Sequence, residues 1–204
     1  MTIWSEAVFS PFSMIIYMSD YSNLIVITNR LLCEGPFISQ IEKVCSLKPC
    51  SLILREKDLP ADEYEALALS VNSICEKNGV AFYIHSHIET AVKNGFKNIH
   101  LSIPALREGL NDLSRFENIS VSCHSKEDVI EAEKAGATRI ILGTIFETAC
   151  KEGLRGRGVS FVKEICKTTD LPVYAIGGIT LQNLAGVLSA GAAGGCMMSG
   201  FMKM

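Results

Sequence analysis

The chain has 204 residues, 48% of them hydrophobic, which suits one domain with a substantial core, leaves little room for a second and excludes a disordered chain. A formal charge of -3 without any Lys/Arg block argues against a nucleic-acid surface. The eight cysteines are scattered without a CxxC pair and read as buried thiols, not as a disulfide framework or a zinc site.

Residues 1–23 read as an N-terminal extension, and residues 24–204 as the folded domain. The opening stretch, MTIWSEAVFSPFSMIIYMSDY, is apolar but lacks the basic start of a secretory signal and is too short and interrupted to span a bilayer. It is either a plug over the floor of the fold or sequence upstream of the natural start. From residue 24 short β-branched runs alternate with longer amphipathic segments, as parallel strands with crossover helices require. The spacing predicts strands at 24–28, 51–55, 80–84, 98–101, 119–122, 139–143, 172–176 and 194–198. Helices are expected over EYEALALSVNSICEKNG, stopping at Gly79, and over SKEDVIEAEKAGA, capped by Ser125 and stopping at Gly136. The stretches VSFVKEICKTTD and TLQNLAGVLSAGA supply two more.

Eight such units favour a closed TIM (β/α)8 barrel, and the first strand lacks the following GxGxxG of a dinucleotide fold. The chain ends four residues after Gly200, so the final helix is short or absent. That gap exposes apolar surface on the first, seventh and eighth strands unless the N-terminal segment or a partner covers it.

Such barrels carry their chemistry at the C-terminal ends of the strands. AIGGIT puts Gly177 and Gly178 after the seventh strand, and MMSG puts Ser199 and Gly200 after the eighth, where backbone N–H groups can approach a phosphate. Arg55 and Lys57 flank Glu56 at the end of the second strand and are expected to share a face toward a phosphate or carboxylate. The long sixth loop, GTIFETACKEGLRGRG, contains Glu147, Thr148, Cys150, Lys151, Arg155 and Arg157, and its glycines suit a mobile basic lid, with Lys151 the first choice of its cations. His124 sits at the fifth strand end beside a helix start, where a neutral ring serves as a base. Cys123 alternates away from it, which argues against a Cys-His nucleophilic pair. His85 and His87 lack a third ligand, so no metal site is expected there, and His100 reads as core.

The segments LILREKDLP, ISVSCHSKEDVIEAEKAGA, IILGTIFETACKEGLRGRG, LPVYAIGGIT and GGCMMSG resemble, in order and spacing, the superfamily of thiamine phosphate synthase and the TenI-like thiazole tautomerases. SCHS and FETACKEGLRGRG resemble the tautomerase branch more closely. The resemblance implies a TIM barrel, a cytoplasmic location, often a homodimer, and small phosphorylated thiazole or pyrimidine substrates. The residues themselves offer no basic stripe or aromatic platform for nucleic acid and no segment suited to a membrane. In the synthase branch the resemblance implies diphosphate held by Arg55, Lys57 and Lys151, and magnesium held by acids. Where that branch has Asn-Asp after strand three, this chain has His85-Ser86, and Ala105 stands where a second acid is expected. The expected function is therefore a thiazole tautomerase, an isomerase without cofactor, in which His124 shuttles the proton and Arg55, Lys57, His85, Thr148, Lys151, Gly177, Gly178, Ser199 and Gly200 bind substrate. The alternatives are a magnesium-dependent thiamine phosphate synthase and a non-catalytic phosphate-ligand binder.

Overall fold

Three short runs of Leu, Ile and Val, each too apolar to face water on either side, set the architecture. In the computed structural model, which describes residues 21–147 and 155–204, they join five more strands in one closed parallel barrel. The strands are β1 (Leu24–Ile27), β2 (Ser51–Leu54), β3 (Ala81–His85), β4 (Asn98–Ser102), β5 (Asn118–Cys123), β6 (Arg139–Gly143), β7 (Val173–Ile176) and β8 (Gly194–Met197). Each pairs with its neighbour in sequence, and β1 closes on β8 through Ile25 opposite Cys196. The TIM-barrel expectation is correct, and every expected strand is present to within about two residues at its ends.

The alternation of side chains divides the barrel into two apolar regions. Leu24, Val26, Leu52, Leu54, Ile140 and Leu142 point outward and pack beneath the helices. Ile25, Ile27, Ile53, Tyr83, Ile141 and Cys196 point inward and fill the lumen. Because both faces are covered, β1, β2 and β6 are buried along their whole length.

The outer ring comprises α1 (Phe37–Ser46), α2 (Ala61–Asn78), α3 (Ile88–Lys93), α4 (Ile103–Glu108), α5 (Lys126–Lys134), α6 (Gly158–Ile165), α7 (Leu184–Ser189) and α8 (Ser199–Met202). The stripe Tyr64, Ala68, Val71, Ile74 and Cys75 seats α2, and Gly79 ends it in the left-handed conformation at φ 69°. α5 starts at a capping box in which Ser125 accepts from the Asp128 amide and Asp128 accepts from the Ser125 amide. α1, α3 and α4 are additions to the sequence reading. α3 and α4 have six residues each, too few to display a helical period, and α1 buries only Ile41, Val44 and Cys45.

The last helix is a single turn, as expected, and it seals much of the gap that its shortness predicts. Phe201 and Met202 are buried, the Phe201 ring lies 5.8 Å from that of Tyr21, and Gln40 donates to the Phe201 carbonyl. The extension assigned to residues 1–23 lies outside the described residues up to residue 20. No described helix is long and apolar enough to cross a membrane.

Candidate active site

At the C-terminal rim, Glu56 organises the end of β2. Its side chain is buried, accepting from the Thr28 hydroxyl at 2.6 Å and from the Arg30 amide at 3.0 and 3.1 Å, while the Arg30 guanidinium lies 3.3 Å away and also pairs with Asp58. The Thr28 oxygen in turn accepts from the Arg55 amide at 2.9 Å. Glu56 turns to this clamp on the side of Thr28, and Arg55 and Lys57 flank it in the chain just beyond the end of β2. Both act electrostatically on His85.

His85 stands half-buried at the end of β3, its amide donating to the Tyr64 hydroxyl at 3.1 Å, while that hydroxyl donates to the Leu54 carbonyl at 2.7 Å. Burial, then the Arg55 and Lys57 charges, push the His85 imidazole down to about 4, so its ring is neutral at pH 7. His87 stacks on Tyr64 at 3.8 Å, and burial pushes it down as well. Glu56, Lys57, Tyr64, His85, Ser86, His87 and Ser102 surround a cavity of ≈ 330 Å³ between the ends of β2, β3 and β4. His100 is core, as expected, with its two ring nitrogens 2.9 Å from Ser120 and Ser122.

His124 is exposed at the mouth. Its Nδ1 lies 2.7 Å from the Gly143 carbonyl, which can only accept, so that nitrogen carries a proton, and in the neutral tautomer this leaves Nε2 as the acceptor. Its amide donates to Asp128, and its carbonyl accepts from Arg157. Arg157, expected in a mobile lid, lies 3.3 Å over the Phe161 ring and is docked at the start of α6. Cys123 faces the outer core, and burial pushes its thiol up to about 12, which makes it a poor nucleophile.

The glycine region has the geometry that a close approach needs. Gly177 and Gly178 have φ of 99° and 63°, and a side chain on Gly178 would come within 2.7 Å of the Glu147 carbonyl and the Phe146 Cβ. The Phe146 amide donates to the Gly177 carbonyl, which ties the loops after β6 and β7 together. The pairing of Ile176 with Cys196 sets these glycines beside Met197 and Met198, next to Ser199 and Gly200. Thr148 and Lys151 lie outside the described residues.

The residues sequence reasoning missed are Thr28, Arg30 and Asp58. The signal for Thr28 and Arg30 is positional, since TNR directly follows the first apolar run as the other polar groups follow theirs.

A family model described as thiamine monophosphate synthase, TMP-TENI, matches residues 24–201. The chain belongs to this family. A thiamine-phosphate synthase of Coprothermobacter proteolyticus is 32% identical over 187 residues, covering 89% of this chain and 88% of that protein. A thiamine-phosphate synthase 2 of Streptococcus pneumoniae is 28% identical, covering 88% and 87%. Among solved structures, a thiamine phosphate pyrophosphorylase from Pyrococcus furiosus has the same fold, with a TM-score of 0.74 at 23% identity over 89% of this chain and 88% of that one.

These findings correct the expectation of an isomerase of the tautomerase branch. The motifs that suggested it are short loop segments, whereas the similarity to proteins named as synthases runs through nearly the whole barrel. Membership of the TMP-TENI family does require one departure to be faced. The resemblance implies magnesium held by acids after β3 and β4, and those positions are His85, Ser86 and Ala105. The carboxylate at the end of β2, Glu56, has both oxygens engaged by Thr28 and Arg30. Among the described residues no three His, Cys, Asp or Glu side chains are grouped as a metal site. This donor set does not fit a carboxylate-held divalent cation.

Proposed function

We propose that this barrel is an enzyme of the thiamine-phosphate synthase type, joining a pyrimidine diphosphate to a thiazole phosphate with release of diphosphate. The observation that carries this reading is the near full-length similarity to thiamine-phosphate synthases. The cations at the rim support it. In this reaction the bond between the pyrimidine methylene carbon and the diphosphate oxygen breaks, the thiazole nitrogen supplies the electron pair of the new C–N bond, and diphosphate departs with the electrons of the old one. Negative charge grows on the leaving oxygen, and fixed cations beside it lower that barrier. Arg55 and Lys57 take this role, with Lys151 as a third cation, and Gly177, Gly178, Ser199 and Gly200 receive the thiazole phosphate on backbone N–H groups. The neutral His85 ring borders the reacting region as a hydrogen-bonding wall. His124 presents Nε2 at the mouth as an acceptor for substrate.

The test is to supply both substrates and follow diphosphate release and product together, once with magnesium and once with EDTA. Product formation establishes the synthase reading, and equal rates in the two conditions assign the charge neutralisation to side chains. Binding of both substrates without product favours a second reading, a non-catalytic phosphate-ligand binder, which the replacement of the acids by His85, Ser86 and Ala105 supports.

A further inference from the structure

The buried charge farthest from this chemistry is Arg139, the first residue of β6, at the opposite end of the strand from the rim. It is 7% exposed and points into the lumen on the same face as Ile141. Its guanidinium carbon lies 3.7 Å from the centroid of the Tyr83 ring and 5.7 Å from that of Tyr174. Nη1 donates to the Ser51 hydroxyl at 3.0 Å, whereas among the described residues Nε and Nη2 find no acceptor.

An arginine cannot shed its proton to escape burial, so its charge needs a counter-charge or its N–H groups need acceptors. Among the described residues no Asp or Glu pairs with Arg139. The acidic groups it does act on are the Tyr83 and Tyr174 hydroxyls and the Cys196 thiol, and burial pushes all three up, away from ionisation at pH 7. The described residues therefore hold the guanidinium without balancing it.

The unused edge has a definite shape. Nε and Nη2 lie on one side of the guanidinium and offer two parallel N–H bonds, the fork that receives two oxygens of a planar anion. Stacking on Tyr83 and the bond to Ser51 fix the plane and leave that edge preformed. Ile25, Ile53, Ile141 and Cys196 fill the lumen between this floor and the rim, so the floor is separate from the phosphate region. We infer that the floor of the barrel is a binding site for a small planar oxyanion of the carboxylate or bicarbonate class, held on the Nε/Nη2 edge of Arg139.

The experiment is a formate titration of the full chain at constant ionic strength, with chloride as the replaced ion, read by thermal midpoint and by saturation-transfer NMR of the formate proton. The expected result is a saturable rise in midpoint and a saturation-transfer signal. Arg139→Met should abolish both, and Arg139→Lys, which keeps the charge but lacks the fork, should weaken formate binding about tenfold. Lys57→Ala should leave the response intact. If Arg139→Met fails to fold, the Arg139→Lys and Ser51→Ala variants decide. No saturable response in the wild type, an undiminished response in the Arg139 variants, or its loss in Lys57→Ala would overturn the proposal.

Discussion

Thr28 Oγ1 and Glu56 Oε1 lie 2.6 Å apart across the ends of β1 and β2, and both side chains are buried. Because the same hydroxyl oxygen accepts from the Arg55 amide, this contact sets the backbone from which Arg55 and Lys57 leave the strand. Glu56→Gln removes the charge that the Arg30 amide and guanidinium answer, and should cost about 1.5–3 kcal/mol of stability. Urea unfolding of the variant and of Thr28→Val checks this, and a loss under about 0.5 kcal/mol in both would show the clamp to be incidental.

Stability should fall as the solution is acidified through the histidine range. The folded His85 is held down to about 4 and the buried His100 lies well below its usual value, both chiefly through burial. In the unfolded chain each takes up a proton near pH 6.5, so below that the unfolded state binds more protons and is favoured. The stabilising contribution is complete above about pH 6.5 and, for His85, is lost progressively down to about pH 4. Urea midpoints measured from pH 7.5 to 4.5 should show this slope, and His85→Gln should flatten it.

Removing the cations should weaken capture of the diphosphate substrate without unfolding the barrel. Arg55→Ala and Lys57→Ala should each lower kcat/KM for that substrate by about 10- to 100-fold, the value of one charge-assisted hydrogen bond. Steady-state kinetics with the pyrimidine diphosphate varied separates this from a change in the thiazole phosphate KM, which should stay within about threefold.

Gly178→Ala should damage both fold and site. Its Cβ would press on the Glu147 carbonyl and the Phe146 Cβ at 2.7 Å from a backbone at φ 63°. A loss of about 1–3 kcal/mol is expected, with weaker thiazole phosphate binding, read by thermal unfolding and calorimetric titration. Gly186→Ala, inside α7 with nothing within 4 Å, is the control, expected to leave binding unchanged and to raise stability by about 0.5–1 kcal/mol.

The order of the barrel was legible in the sequence because strands of buried β-branched residues and the crossovers between them are local patterns. LIVIT, SLILR and RIILG carry it without help from distant residues, as do the Ser125 cap and the Gly79 stop. The positions of Arg55, Lys57, Gly177, Gly178 and Ser199 at strand ends follow from the same reading. The tautomerase expectation failed because it leaned on short loop motifs, where a few side chains outweighed the similarity carried along the rest of the barrel. Which partner a polar side chain finds was decided only in three dimensions. The contacts from Thr28 to Glu56, from Arg139 to Ser51 and from His124 to the Gly143 carbonyl join residues 28, 88 and 19 positions apart. Local periodicity states that a residue is buried and on which face. Only closure of the barrel determines what it meets there, because the contacts that neutralise, orient or isolate a charge come from strands that are adjacent or that face one another across the lumen.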